Sequence, residues 1–460
     1  MRATRARPLR RALDAMPSMP MQTLVGAALL LAAPPSVCRL MAQTPEGPRG
    51  TLGVMAIAVA TQADPALANR RLREGYLTQP MLMGALRRDP LRLSGMLNAE
   101  GYTLRRGELN AGIYGEGYVD RRHPHTLVHE AMAALVSPGW QGPGGSWQAS
   151  LAAGRGFTPY GSDDPMVRPF VKYPVNHHHA QIIERVQVLG ALRWSGVSRT
   201  RGASSSVAGT APWAAVEHGW FNGDEPTSPF AAPQWRRLGD SRATRLVVAP
   251  TPAWEWQASH AFVRSPGIVQ GGAFDHRQWS SALRYARPGS RWRYGLIEVA
   301  RVDEGAGRER AFRYESMLAE GQLALGSWLL SARAERTDRP EQERLLDLFR
   351  TSTGHIDFQI VGVTRWTLGT LQLAAPSQRT RAGQLVPFAE VGVAHAAARR
   401  QPTVFDPAQF YGRATQWSLS AGLRWHVGAM RSRVGRYGVL ADAGDAAHLG
   451  AHGHSHDHRQ

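Results

Sequence analysis

The feature that most constrains this chain is a period of two. Between Gln416 and Val427, Trp417, Leu419, Ala421, Leu423, Trp425 and Val427 fall on one face of an extended segment. Gln416, Ser418, Ser420, Gly422, Arg424 and His426 fall on the other. Only a strand sends successive side chains to opposite faces, so this segment keeps an apolar face as a strand and loses it as a helix. A tryptophan stands near each end of the apolar face. Eight residues at ~3.3 Å per residue span about 26 Å, or roughly 20 Å of height at a 40° tilt. That is close to the height of a lipid-facing belt with aromatics at both water boundaries.

The pattern recurs along the chain. Leu91, Leu93, Gly95, Leu97 and Ala99 alternate with Arg92, Ser94, Met96, Asn98 and Glu100. Trp254, Trp256, Ala258 and Phe262 alternate with Glu255, Gln257 and Ser259. Trp328, Leu330, Ala332 and Ala334 alternate with Leu329, Ser331, Arg333 and Glu335. Ile356, Phe358, Ile360 and Trp366 alternate with His355, Asp357, Gln359 and Arg365. Residues 278–302 read as a hairpin in which Trp279, Leu283 and Tyr285 share one face. Pro288-Gly289-Ser290 supplies the turn, and Trp292, Tyr294 and Leu296 return. Weaker alternation runs through 125–136, 146–156, 182–194, 213–221, 242–249, 311–325 and 384–396. These segments predict about 14 strands, with 12 to 18 compatible with the pattern. Longer polar connections fall at 157–180, 222–240, 337–354 and 397–413.

Composition narrows the class. Apolar residues make up 43% and charged ones 20%, which excludes a disordered chain, and the single Cys38 excludes a disulfide scaffold. A soluble sandwich or propeller alternates too. Strand length, aromatics at segment ends, and small polar or charged residues opposite the apolar face favour a membrane barrel instead. On these segments, above all Trp417-Ser-Leu-Ser-Ala-Gly-Leu-Arg-Trp425, residues 90–440 resemble the porin-like outer-membrane β-barrels of Gram-negative bacteria. The resemblance is architectural and rests on no diagnostic motif. It implies an all-β antiparallel transmembrane barrel with short periplasmic turns, long outer loops, outer-membrane lipid around it and room for oligomerisation. Such barrels often end on an aromatic residue. Here Met430 to Leu440 and a tail follow the last clear strand, so an internal assembly signal around Tyr437 is expected.

Residues 1–42 read as an export signal. Arg2, Arg5, Arg7, Arg10 and Arg11 precede the apolar run Thr23–Ala33, which is too short to span a bilayer. A second run, Leu52–Ala60, leaves the cleavage boundary anywhere between 33 and 63. Residues 43–89 are expected to form a periplasmic segment, with Asp64-Pro65 opening a short helix within 64–86. Residues 441–460 form a His-rich tail.

The charge of +18 raises the question of an anionic partner. Six arginines and one aspartate lie in residues 1–42, and the remaining excess is spread as single arginines rather than as a patch interleaved with aromatics. That distribution argues against a nucleic-acid partner. Arg185, Arg193, Arg333, Arg365 and Arg424 fall on polar strand faces. Lining a lumen, they would draw small anionic solutes through a passive channel. The alternative is that they brace the wall against Glu335, Glu390 and similar acids.

Two histidine sets suggest a second reading, a barrel that binds or passes divalent metal. His448, His452, His454, His456 and His458 in the tail suit Zn, Ni, Cu or Co. His123, His125 and His129, with His177 or His179 from the next long loop, would make a weaker set at a barrel mouth, unless they only hydrogen-bond the rim. No cofactor is required by any motif. A third reading, a barrel hydrolase, rests on the Asp163-Asp164 and Asp275-His276 pairs. Neighbours on a strand face opposite ways, so these pairs would need loops to cooperate. No Gly-x-Ser-x-Gly or His-Glu-x-x-His signature is present, and no catalytic residue is assigned.

Overall fold

The computed structural model describes residues 49–66, 70–103, 108–109, 126–171, 173–196, 211–226, 228–266, 274–342, 350–351, 360–399 and 405–443. The leader, His123, His125 and the tail histidines lie outside them. Sixteen strands among the described residues join antiparallel, each to its neighbours, and close into a barrel. In chain order they are β1 (Arg49–Ala66), β2 (Arg70–Arg88), β3 (Leu91–Asn98), β4 (Val128–Val136), β5 (Gly145–Gly156) and β6 (Arg185–Gly196). Then follow β7 (Trp213–Phe221), β8 (Ser241–Thr251), β9 (Trp254–Val263), β10 (Asp275–Ala286) and β11 (Trp292–Gly305). The wall is completed by β12 (Phe312–Leu325), β13 (Trp328–Gln342), β14 (Ile360–Ala374), β15 (Gly383–Ala398) and β16 (Thr415–Gly428). Closure is the pairing of β16 with β1, from Gly53 opposite Gly428 to Asp64 opposite Trp417. With no free edge, every wall strand has hydrogen-bonding partners on both sides, which a chain standing in lipid requires.

The fourteen segments expected from alternation all contribute to this wall. The count rises to sixteen because residues 49–88, expected as a periplasmic segment with a helix, are instead β1 and β2. Their inner faces are apolar as well as their outer ones: Ile57, Val59, Met81 and Met83 are buried inside the barrel. A strand apolar on both faces gives an unbroken run rather than an alternation. The run Leu52–Ala60 therefore imitates a signal core.

The outer wall is apolar. Leu419, Ile297 and Met317 are 54, 59 and 61% exposed, while Gln416, Ser418 and Ser420 on the opposite face of β16 are buried. Trp254, Trp292 and Trp328 open their strands at the short-turn end, and Trp220 and Trp417 stand at the long-loop end. This apolar band between aromatic girdles, on a closed sheet, places the protein in the outer membrane of a Gram-negative bacterium. Both β1 and β16 meet the short-turn side, the periplasmic one.

Two faces differ from expectation. Trp366 points inward and is fully buried, because the apolar face of β14 packs against chain inside the lumen. A register shift between Trp292 and Tyr294 turns Tyr294 and Leu296 inward while Trp292 stays outside.

Candidate functional site

Two stretches that are not wall strands fill the lumen. The first, residues 157–184, joins β5 to β6 and enters from the long-loop side. It carries Phe157, Tyr160, Met166, Phe170, Val171, Tyr173 and Val175, all buried. Pro159, Pro165, Pro169 and Pro174 remove backbone donors at short intervals, so neither a long helix nor a strand can form there. Apolar side chains without a regular element still need burial, and the barrel interior supplies it. Gly161 makes the fold-back: its φ is +75°, and a Cβ there would lie 1.7 Å from the Ala180 carbonyl oxygen.

The second stretch, residues 429–443, follows β16 and turns up into the lumen from the periplasmic side. It ends in a 3-10 helix, Gly438–Ala443. Tyr437 is therefore not the closing aromatic of a strand. Its hydroxyl sits inside the barrel, accepting from the Phe157 backbone N–H at 3.0 Å and donating to Glu130 at 3.1 Å. Burial, and after it the Glu130 charge, pushes this phenol up.

Where the two stretches meet, charges converge. Arg433 donates to Asp163 at 2.5 Å and to both oxygens of Glu255 at 2.7 and 3.0 Å. Arg284 on β10 holds the other Asp163 oxygen at 2.7 Å, and Arg436 holds Glu255 at 2.9 Å. Arg245 on β8 pairs with Glu217 at 2.6 Å and donates to the carbonyls of Gly435 and Gly161 at 2.9 and 3.3 Å. Burial alone would raise the Asp163 carboxyl. The guanidiniums of Arg433, Arg284 and Arg436 outweigh it and hold Asp163 well below the usual carboxylate range. Burial, and next the nearby Arg245, lowers Arg436 to about 10, which leaves it charged at neutral pH.

The wall meets the first stretch through acids spaced around the barrel. Arg168 lies 3.4 Å from Glu298 and 3.5 Å from Glu320. Burial opposes its charge, but Glu298 and Glu320 raise it above the usual arginine value. Ser162 donates to Glu298, and Asn176 does so at 3.0 Å. The Val175 backbone N–H donates to Glu335 at 2.8 Å.

The sequence-predicted arginines divide. Arg333 faces inward, pairs with Glu320 at 2.7 Å and lies over Phe170 at 4.1 Å, so it braces the wall and the insert together. Arg185 pairs with Glu225 at 3.1 Å, Arg193 donates to the Val439 carbonyl at 3.3 Å, and Arg424 to that of Pro169 at 3.0 Å. Arg365 is the exception. It shares the outward face of β14 with Leu371 and Leu373 and pairs with Asp338 at 2.6 Å. Its inward neighbours, Thr364 and Trp366, occupy the lumen face expected for it.

The histidines are dispersed. His129 on β4 contacts Glu184 at 2.5 Å, the His177 ring lies 3.1 Å from the Pro174 carbonyl, and His179 stacks on Tyr314. No group of three or more His, Cys, Asp and Glu among the described residues is arranged to hold a metal. The carboxylate pairs are also apart. Asp163 is tied to Arg284 and Arg433, and Asp164 caps the 3-10 turn Pro165–Val167 by accepting from the Met166 N–H at 2.7 Å. Asp275 accepts from Ser265 at the loop end of β10, nine residues from Arg284, about 30 Å along the strand.

Alternation did not mark the guanidiniums of Arg433 and Arg436, which lie beyond the last strand. A signal for the acids that meet the two lumen stretches did exist: Glu217, Glu255, Glu298, Glu320, Glu335 and Glu390 each stand on the polar face of a different strand.

No family model matches the chain, and no curated protein matches it in sequence. Among solved structures it is similar to an anion-selective porin from Comamonas acidovorans, at 8% identity over 83% of this chain and 100% of that one, with a TM-score of 0.45. It is also similar to the trimer form of OmpT from Vibrio cholerae, at 10% identity over 82% and 99%, with a TM-score of 0.41. Pseudomonas putida OprB follows at 8% identity over 83% and 94%, with a TM-score of 0.42. The likeness is one of barrel architecture.

Proposed function

We propose that the protein is a porin-like outer-membrane channel for small solutes, with a preference for anions. The observation that carries this reading is the inner wall. Gln257, Ser280, Ser316, Ser331, Thr370, Gln372, Gln416, Ser418 and Ser420 turn hydroxyls and amides inward over the barrel's height, opposite an apolar outside. A wall polar inside and apolar outside suits an aqueous path through lipid. The anion preference is proposed from the guanidiniums of Arg168, Arg245, Arg284, Arg424, Arg433 and Arg436: a guanidinium has five N–H donors, and those beyond the ones shared with Asp163, Glu217, Glu255, Glu298 and Glu320 can meet a passing anion in a low-dielectric passage. The two lumen stretches leave a solute less room than an unfilled barrel of this size would. Purified protein in planar bilayers under a KCl gradient tests the reading. Discrete steps with a reversal potential on the chloride side support it. No discrete steps, or a reversal potential on the potassium side, overturn it.

A further inference from the structure

The outer wall carries a feature that a channel does not use. At the long-loop end of β11 to β15, immediately above the apolar belt, five arginines stand on the outward face: Arg301, Arg313, Arg336, Arg365 and, just after β15, Arg399. Their outward direction follows from strand parity. Arg301 shares its face with exposed Val299 and Ile297, Arg313 with exposed Met317, and Arg336 with exposed Ala334. One pleat repeat of about 7 Å separates Arg301 from Val299. Arg301 also lies over the outward Trp279 ring at 5.0 Å, which puts the guanidiniums at the boundary between belt and headgroups.

Three acids share this band, and each is taken by two arginines. Asp303 accepts from Arg301 at 3.2 Å and from Arg313 at 2.7 Å. Asp338, though outward, is fully covered by Arg365 at 2.6 and 2.9 Å and Arg399 at 3.2 Å. Glu315 meets Arg399 at 3.1 Å and Arg365 at 3.8 Å. Arg336 is exposed and makes no ion pair among the described residues. Five cations against three anions leave the band net positive, and the acids fix the guanidiniums in place. A guanidinium has five N–H donors, and exposed Arg336 offers its own to the headgroup layer. Planar, preorganised guanidiniums match phosphate oxygens two at a time.

We infer that this band binds a phosphorylated glycolipid of the outer leaflet through its phosphomonoesters. The band lies on the long-loop side, so the lipid comes from the outer leaflet rather than from the periplasmic one. The inference does not depend on conduction.

Lipid A, a diphosphorylated diglucosamine lipid, is the probe. The full chain in mild detergent is incubated with lipid A, with monophosphoryl lipid A or with phosphatidylcholine, and retained lipid is counted by native mass spectrometry. Retention in the order diphosphoryl, monophosphoryl, phosphatidylcholine is expected. The double variant R336Q/R399Q should lower lipid A affinity about tenfold or more. Arg336→Lys should fall between wild type and Arg336→Gln, since charge is kept and the fork is lost. Arg242→Gln, on the outward face of β8, should leave retention unchanged. Heat-modifiable gel mobility reports that each variant is folded. Equal retention of all three lipids overturns the inference, and so does a folded double variant with wild-type lipid A affinity. A double variant that keeps its lipid A but loses oligomers on crosslinking also overturns it, and assigns the band to contact with a second copy.

Discussion

Arg433 is the residue whose loss tests the lumen most directly. It bridges Asp163 on the first lumen stretch and Glu255 on the wall, with three contacts between 2.5 and 3.0 Å. Arg433→Ala takes one guanidinium partner from each of two buried carboxylates. Removing one member of a buried ion pair costs about 3–5 kcal/mol. The lower end applies here, because Arg284 still holds Asp163 at 2.7 Å and Arg436 still holds Glu255 at 2.9 Å. About 3 kcal/mol changes the ratio of sealed to breached states roughly 150-fold. In planar bilayers the fraction of time spent in the larger conductance level should rise accordingly. Asp163→Asn, which leaves Arg433 its Glu255 partner, should give a smaller rise, and the two changes together should be less than additive. A folded Arg433→Ala protein whose open fraction stays within about twofold of wild type would falsify the reading that these ion pairs hold the first lumen stretch against the wall.

Other consequences follow from the same geometry. Tyr437→Phe leaves the buried Phe157 N–H without its acceptor, at a cost of about 1–3 kcal/mol. It should expose residues 429–443 to protease from the periplasmic side, and unchanged cleavage would count against it. Gly161→Ala places a methyl against the Ala180 carbonyl in a left-handed backbone region and costs on the order of 2 kcal/mol or more. Chymotrypsin added outside should then cut after Phe170, which an intact fold-back keeps buried. Asp163 has a depressed carboxyl, so its ion pairs stabilise the lumen above the unfolded value near 3.9 and are lost as pH falls through the lower folded value. Conductance should hold from pH 7 to 5 and change only below about pH 4; an opening near pH 6 would point to the histidines instead. Deleting 448–460 should abolish retention on immobilised nickel, and retained binding would shift attention to His123, His125 and His129.

Alternation made fourteen strands legible because lipid and lumen impose opposite demands on successive side chains. It failed at β1 and β2, where Ile57, Met81 and Met83 face inward yet meet an apolar environment. The same cause misplaced Trp366. Its neighbours inside include Val171, Tyr173 and Val175 of the first lumen stretch, so the apolar face of β14 turned in and Arg365 turned out. The acids that anchor the lumen stretches were visible as single glutamates on polar faces. Arg333, the partner of Glu320, was visible in the same way, but Arg168, Arg433 and Arg436 were not, since residues 157–184 and 429–443 follow no period, and only pairing in space shows which carboxylate each of them meets.

This interior decides how such a channel can open. One apolar cluster joins Ile57, Met81, Met83 and Trp366 of the wall to Phe157, Val171 and Tyr173 of the first stretch and Val434 of the second. Withdrawing both stretches would expose several of these side chains to water, at about 1.5–3 kcal/mol each. Four of them already outweigh the ~3 kcal/mol held by Arg433. Full withdrawal is therefore the costlier route, and the easier breach runs along the ionic seam from Asp163 and Arg433 to Glu255. There the wall offers Ser259, Ser280 and Gln257, which water can hydrogen-bond once the guanidiniums move. On the proposed reading, a solute taking this path would pass arginines on the lumen side and polar wall on the other, while the apolar cluster stays seated. Wild-type channels should accordingly switch between levels without either stretch becoming accessible to protease at the Phe157 side.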